Sequence, residues 1–516
     1  MNELADRNVL VLGLGASGLA MAAWCARQGA RVQVWDSREA PPQAAALAER
    51  VPGARRLPCA TGPEALAGVH WVLKSPGLAP HDAQVAPLLE AARAAGIRTG
   101  GELDLFVQAL AELRATRGYA PRLLAVTGTN GKTTTTALAA LLIERAGRTA
   151  RAAGNIGPTM LDSLAQALQA DALPQVWVLE LSSFQLHDLH PTAPYQPDAA
   201  VVLNLSQDHL DWHGTMDDYA AAKARVFGAH GTVVINADDA RVAAMAPAVP
   251  EASALRRGAR RAAAAVPRPV VRFGLQVPRH GGDFGLVSEA GMSWLVRALP
   301  REEGVRPAAA EEEPPIIQRL VPADAMRLRG RHNAANALAA LALACAIGCP
   351  LAPMLHGLRD YWGEPHRVQW VAEVEGVEAF DDSKGTNVGA TVAALEGLGA
   401  ERAPGRLVLI LGGDGKGQDF SALAGPVARH ARAVALIGRD APALAQALQG
   451  TGVALQPHAD LPQAVRWCFE QAQRGDAVLL SPACASLDMF RGYGHRAEVF
   501  VQAVQACVAE RGGVVA

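Results

Sequence analysis

The sequence predicts an α/β protein of three domains, each built on a mostly parallel sheet. Three observations lead there. The chain has 516 residues, and at roughly 100 to 200 residues per domain that length suits about three separate cores. Half of the residues are hydrophobic, and short Val, Leu and Ile runs alternate with Ala-rich stretches of helical length, as in βα units whose strands are buried on both faces. Glycine-rich turns follow directly on such runs near residues 13, 128 and 412, the strand ends at which open parallel sheets bind ligands. The expected divisions are 1–118, 119–363 with a variable insertion at about 240–323, and 364–516.

Composition removes several classes of function. A net charge of −2 lacks the basic excess of a nucleic-acid binder. Seven cysteines without a C-x-x-C pair suit a reducing compartment in which they serve as small core residues, and they argue against zinc. The start, MNELADRNVLVLG, runs straight into a strand and turn with no basic region followed by a signal-type apolar run and cleavage site. The longest apolar stretch, Ala334 to Leu355, is interrupted by Gly348 and Pro350 and predicts a buried helix of about 14 residues, not a membrane span.

In the first domain a strand at Asn8 to Leu12 precedes Gly13-Leu-Gly15-Ala-Ser-Gly18, and a second strand, Arg31 to Trp35, ends in Asp36. This is the G-x-G-x-x-G turn with an acidic residue about 20 positions on, a Rossmann-like signature. Alone it is met by NAD, by another nucleotide, or by close strand–helix packing without a ligand. Val72 to Gly77 predicts another strand running into a turn, which puts a second loop at the same sheet edge.

The second domain opens with LLAVTGTNGKTTTT, residues 123–136, which predicts strand, loop and helix. Gly128 and Gly131 let backbone N–H groups turn toward an anion, Lys132 brings a point charge to the outer phosphates, and Thr133 offers a hydroxyl to Mg²⁺. With Val126 where the general P-loop has its first glycine, this is the shorter variant T-G-T-N-G-K-T, with Thr129, Asn130 and Thr134 completing it. Three strands follow, Val176 to Glu180, Ala199 to Asn204 and Thr232 to Asn236, and their ends place Glu180 and Asp208-His209 toward the phosphates. Residues 240–323 are rich in Ala, Arg, Pro and Glu and predict solvated insertions between short strands. Asn333 and Asn336 lie three apart on one face of the helix that follows.

The third domain shows strands at Leu407 to Leu411, Ala433 to Ile437 and Ala477 to Leu480, a further α/β sheet. Polar loops follow its strands: Asp381-Asp382-Ser383-Lys384-Gly-Thr386-Asn387, Gly412-Gly413-Asp414-Gly415-Lys416 and Ser481 to Asp488.

In this order TGTNGKTT, GNIG at 154, LELSSFQL at 179, DHLDWHG at 208, GRHNAANALAA at 330, PHRV at 365, DDSKGTN at 381, GGDGKGQDF at 412 and SPACASLDMF at 481 resemble the Mur ligase family of peptidoglycan synthesis, over the whole chain except about 240–323. The resemblance implies a cytoplasmic ATP- and Mg²⁺-dependent ligase with a Rossmann-like UDP domain, a central P-loop ATPase domain and a Rossmann-like α/β domain that closes over the site. Its nearest pattern is the branch that joins D-glutamate to the L-alanine carboxylate of UDP-N-acetylmuramoyl-L-alanine through an acyl phosphate. The D-N-P-R signature of the diamino-acid branch is absent.

By that resemblance Ser17, Asp36, Ser37, Arg38, Ser75, Gly77 and Asn155 serve the UDP substrate. Gly128, Thr129, Asn130, Gly131, Lys132, Thr133, Thr134, Asn333, Asn336, Arg367 and Asp382 serve ATP. Thr133 and Glu180 hold one Mg²⁺, and His209 with a carbamylated Lys223 holds a second. Carbamylation would turn a cation that repels the metal into an anion that binds it. Lys384 stands by the transferring phosphate beside Lys132, and Thr386, Lys416, Ser486, Leu487 and Tyr493 receive D-glutamate, with Tyr493 where the family pattern has phenylalanine. A monomer is expected, with no nucleic-acid or membrane partner. The rivals are another Mur ligase, a folate-type polyglutamate ligase, which leaves a UDP-type first domain unexplained, an NAD-linked oxidoreductase, which leaves Lys132-Thr133 without a task, and a non-enzymatic P-loop switch, which has no use for charged loops in a third domain.

Overall fold

Continuous apolar runs make the strands, and their burial on both faces makes the sheets parallel. The computed structural model describes residues 3–247, 268–289, 291–299, 315–328 and 330–515. Its first sheet contains β1 (Asn8–Leu12), β2 (Arg31–Trp35), β3 (Arg55–Arg56), β4 (Trp71–Lys74) and β5 (Arg98–Gly100), in the order β3-β2-β1-β4-β5. All of its pairings are parallel. Val9, Leu10, Val11 and Leu12 are wholly buried. Because β1 lies between β2 and β4, the chain departs to opposite sides of it, and a crevice opens at its carboxyl end.

The second sheet contains β6 (Arg122–Thr127), β7 (Ala150–Gly154), β8 (Val176–Glu180), β9 (Ala199–Val202), β10 (Thr232–Asn236), β11 (Val270–Phe273), β12 (Phe284–Glu289), β13 (Met292–Ala298) and β14 (Ile317–Pro322). Their order is β14-β13-β12-β11-β10-β9-β6-β8-β7. Here β6 sits between β8 and β9, both parallel to it, so the glycine-rich loop emerges at the crevice. The expected parallel sheet needs one correction: β12, β13 and β14 form an antiparallel meander that widens it. Two residues separate Glu289 from Met292, too few for the crossover that a parallel pair requires. The described part of the expected insertion is thus largely strand, while its stretches 248–267 and 300–314 lie outside the described residues.

The helix Arg331–Ala346 bears out the expectation of a buried helix. Ala337 to Ala344 are all essentially inaccessible, in keeping with apolar residues on every side. It shares one core with the helix Lys132–Arg145. Among the described residues no helix is long and apolar enough to cross a membrane.

The third sheet contains β15 (Gln369–Val374), β16 (Val377–Asp381), β17 (Leu407–Gly412), β18 (Ala431–Ile437), β19 (Ala454–Pro457), β20 (Ala477–Leu480) and β21 (Gly513–Val515), in the order β19-β18-β17-β20-β16-β15-β21. The five strands from β19 to β16 are parallel, and β15 and β21 close the edge antiparallel.

Buried polar contacts join the sheets' domains. Lys74 Nζ at the end of β4 lies 2.7 Å from Asp188 Oδ2 of the second domain, both side chains nearly inaccessible. Glu102 Oε1 accepts the Leu161 N–H at 3.0 Å across the same seam.

Candidate active site

The centre of the site is the loop between β6 and the helix Lys132–Arg145. Gly131 has φ +82°, and a Cβ there would lie 2.4 Å from Asn336 Oδ1, so only glycine lets the loop meet the helix Arg331–Ala346. Asn336 in turn donates from Nδ2 to Asn333 Oδ1 at 3.1 Å, which puts the expected asparagine pair against the loop. Asn204, just beyond β9, anchors the other side: its carbonyl accepts the Thr129 N–H at 2.9 Å and its Oδ1 the Asn130 N–H at 2.8 Å. Thr134 is buried on the first turn.

Four cationic side chains converge here. Lys132 Nζ curls back to donate to the carbonyls of Gly128 (3.0 Å) and Thr129 (2.7 Å). Thr133 Oγ1 accepts from Arg367 Nη2 at 2.7 Å and Lys384 Nζ at 3.3 Å, both from the third domain. Lys223 Nζ donates to the Gly128 carbonyl at 2.8 Å and to Thr127 Oγ1 at 3.4 Å, and sits 4.6 Å from the Tyr219 ring centroid. Burial, reinforced by Lys132, drives the Lys223 amine well below the usual lysine range. Burial and Arg367 bring Lys384 down to about 8, and burial also lowers Lys132, against the pull of Glu180.

Glu180 faces this cluster from the end of β8. It is 2% exposed. Its Oε1 accepts Asn155 Nδ2 at 3.0 Å, while its Oε2 is buried without a hydrogen-bond partner. An orphaned carboxylate oxygen whose charge is felt by Lys132, Lys223 and Lys384 suits a hard cation completed by phosphate oxygens and water. Among the described residues no three His, Cys, Asp or Glu side chains gather as a metal cage. His209, at φ +54°, packs its ring 4.8 Å from Phe184 and lies 3.5 Å from Asp208. Burial first, then Lys416, Lys132 and Lys223, lower its pKa.

The third domain's loops meet the glycine-rich loop directly. Asn387 and Asn130 exchange amide hydrogen bonds at 3.1 and 3.3 Å, and Asn387 Nδ2 also reaches Asp208 Oδ2 at 3.2 Å. Asp382 accepts Ser481 Oγ at 2.7 Å, and burial pushes its carboxyl up to about 7. Behind these loops the fully buried Arg496 donates to the carbonyls of Ser383 (2.7 Å) and Cys484 (3.1 Å). Asp414 and Ala485 exchange backbone hydrogen bonds at 2.9 and 2.8 Å. Of the residues expected at the amino acid, Ser486 is buried, Leu487 and Tyr493 are exposed, Lys416 is exposed at φ +51°, and Thr386 is half-buried. Lys384 Nζ is 5.5 Å from the Tyr493 ring centroid.

The residues expected at UDP cluster at the carboxyl ends of β1, β2 and β4. Ser75 Oγ donates to the Gly13 carbonyl at 2.8 Å, and Ser17, Ser37, Arg38 and Gly77 are at least partly accessible. Asp36 accepts Leu14 N at 2.7 Å on Oδ2 and Arg38 N at 2.9 Å on Oδ1, with the Arg38 guanidinium across both oxygens. Although burial opposes ionisation, these donors hold the Asp36 carboxyl to about 2. Its lone pairs stabilise its own turn, a poor arrangement for the ribose contact of a dinucleotide site. Asn155 stands apart on the second sheet, tied to Glu180. Asn204, Asp381, Asn387 and Arg496 were not among the expected site residues; the first three carry as their one sequence signal a position in or beside a strand-end loop, and Arg496, inside the helix Tyr493–Arg511, carries none.

Family models match three stretches of the chain: the Mur ligase MurD-like N-terminal domain over residues 7–101, the Mur ligase middle domain over 126–267, and the Mur ligase glutamate ligase domain over 366–484. A UDP-N-acetylmuramoylalanine–D-glutamate ligase of Albidiferax ferrireducens is 58% identical over 506 residues, covering 98% of this chain and 97% of that protein. The chain belongs to the Mur ligase family. A ligase of the same name from Burkholderia pseudomallei is 57% identical, covering 98% of both chains. Among solved Mur ligases, the UDP-N-acetylmuramate–alanine ligase of Thermotoga maritima superposes with a TM-score of 0.56 at 18% identity, covering 97% of this chain and 99% of that one. The MurF ligase of Thermotoga maritima, solved with ADP, gives 0.56 at 16% identity, covering 99% and 96%. These two likenesses are of fold.

Proposed function

We propose that this Mur ligase joins D-glutamate to the L-alanine carboxylate of UDP-N-acetylmuramoyl-L-alanine, using ATP, in the cytoplasmic synthesis of peptidoglycan precursor. The full-length identity to relatives carrying that activity in their names supports the choice of substrates. The observation that carries the chemistry is the meeting, across two domains, of Arg367 and Lys384 at the Thr133 hydroxyl with Lys132 held on the glycine-rich loop that leads into it. A carboxylate is a poor electrophile, and phosphoryl transfer to it brings anions together, so concentrated positive charge is the main requirement.

In this reading Lys132 and Arg367 neutralise the outer phosphates of ATP, and Lys384 guides the group in transfer to the substrate carboxylate. Thr133 and Glu180 hold Mg²⁺, which would screen phosphate charge when bound. A second Mg²⁺ at His209 and a carbamylated Lys223 is part of the same proposal. Its support is the Lys223 amine, sealed from solvent and held toward its neutral, CO₂-reactive form. The UDP group is taken by the first domain's turns at Ser17, Ser37-Arg38 and Ser75 to Gly77, and the D-glutamate by Thr386, Lys416, Ser486, Leu487 and Tyr493. One chain supplies every element, so a monomer suffices, and seven free cysteines suit the reducing cytoplasm.

The test supplies UDP-N-acetylmuramoyl-L-alanine, ATP and Mg²⁺ with a panel of amino acids, and follows phosphate release. D-glutamate is expected to stimulate it above every other member, and Lys132→Ala to lower it at least about 100-fold while UDP-substrate binding persists. Stimulation by a different amino acid, or undiminished turnover in Lys132→Ala, would reject the proposal.

A further inference from the structure

An amino acid arrives as an ammonium ion, and its nitrogen cannot attack until a proton has left. The residues assigned above to the amino acid, Thr386, Lys416, Ser486, Leu487 and Tyr493, include no carboxylate or imidazole to receive that proton. His366 supplies one. Its Nδ1 lies 2.7 Å from Asp381 Oδ2, and the Asp381 side chain is 1% exposed. The other carboxylate oxygen is occupied by the Ser383 N–H at 3.0 Å and Ser383 Oγ at 2.5 Å, so Asp381 is held in one orientation with Oδ2 left for the imidazole. A carboxylate on Nδ1 keeps the proton on that nitrogen and leaves the Nε2 lone pair free. Among the described residues Nε2 has no hydrogen-bond partner, and the ring is about one-third exposed.

The ring also stands in the right place. Its centroid is 6.1 Å from that of Tyr493, at 69° between planes, and the His366 carbonyl accepts the Lys384 N–H at 3.2 Å. His366 thus joins the residue assigned to the amino acid to the one assigned to the transferring phosphate. Its backbone is at φ +64°, a left-handed conformation that a non-glycine residue keeps only where surrounding contacts impose it. The titratable or charged groups about the ring are Asp381, Lys384, Tyr493 and the adjacent Arg367.

We propose that His366, oriented by Asp381, is the general base that takes a proton from the ammonium of the incoming amino acid. This rests on the ligase reading above. Nε2 accepts one proton, and the freed nitrogen lone pair forms the N–C bond to the acyl carbon. The C–O bond to phosphate then breaks, its electron pair leaving with the phosphate, which carries away the second proton of the nitrogen.

The test separates amine activation from acyl-phosphate formation. Hydroxylamine is uncharged at neutral pH and captures an acyl phosphate as a hydroxamate without needing a base. In His366→Gln, D-glutamate ligation at pH 7 is expected to fall at least about 100-fold, while hydroxamate formation stays within about twofold of the unmodified enzyme. The ratio of variant to unmodified ligation should climb as pH rises and solution supplies free amine. Asp381→Asn, which stabilises the other tautomer, should show the same split. Hydroxamate formation lost in both variants, or ligation undiminished in His366→Gln, overturns the proposal. If the unmodified enzyme gives neither hydroxamate nor D-glutamate-dependent phosphate release, the ligase reading itself fails.

Discussion

Three lysines within one small volume differ in what their surroundings do to them. Lys223 is sealed and driven toward neutrality, whereas Lys384, half-buried between the second and third domains, is brought only to about 8. In the role proposed for it Lys384 meets phosphate as a cation, and its ammonium loses its proton as pH rises through that value. The kcat/KM for ATP, which reports the free enzyme, should therefore decline on the alkaline side of about pH 8. In Lys384→Arg the guanidinium stays charged throughout this range, so the decline should move to higher pH. A decline that stays in place in the variant would assign it to another group.

Strand ends and glycine turns set the positions of these residues. Gly154 closes β7, and a Cβ there would lie 2.2 Å from the Glu180 carbonyl, at a φ of +121°. The obstacle is the backbone of β8, which cannot swing aside as a side chain could, so Gly154→Ala must displace the strand end that carries the Glu180 carboxylate. We expect a stability loss of about 2 kcal/mol and at least a 10-fold loss of activity, since small misplacements of a reacting group are costly. Calorimetry and the phosphate-release assay check this together. An alanine variant with unchanged Tm and turnover would show that β7 and β8 do not set the carboxylate's position.

The arrangement of domains depends on a few polar contacts removed from water. Lys74 and Asp188 are each almost inaccessible and meet at 2.7 Å. Replacing one member leaves a buried charge without its counterion, which costs more than the pair contributes. Asp188→Asn should destabilise the first-to-second domain seam by about 3 kcal/mol, seen as an earlier first transition in calorimetry. Lys74→Met combined with Asp188→Leu should recover most of that loss. If the double variant is as unstable as the single one, packing rather than charge holds the seam. On the other side of the second domain, the Asn130–Asn387 amide pair and the contacts of Arg367 and Lys384 with Thr133 complete the site only when the third domain is closed on the second.

Local chain order by itself determined the sheets' parallel strands and the loops that carry chemistry. The strands Asn8–Leu12, Val176–Glu180 and Thr232–Asn236 stand where their apolar runs predict them, because a strand buried on both faces must be apolar at every position. Gly131, Lys132 and Thr133 are consecutive, so the loop between strand and helix was legible in one short stretch, and its use as a cradle for an anion belongs to the proposal. Tertiary structure alone decided the antiparallel meander, the Arg496 brace, the Lys74–Asp188 pair and the dyad of His366 with Asp381. Asn130 and Asn387, 257 positions apart, carry no periodic signal that would pair them. A polar side chain in a loop gains its partner and its burial only when separate domains pack, and the energy of such a contact is a property of the assembled molecule rather than of either stretch of chain.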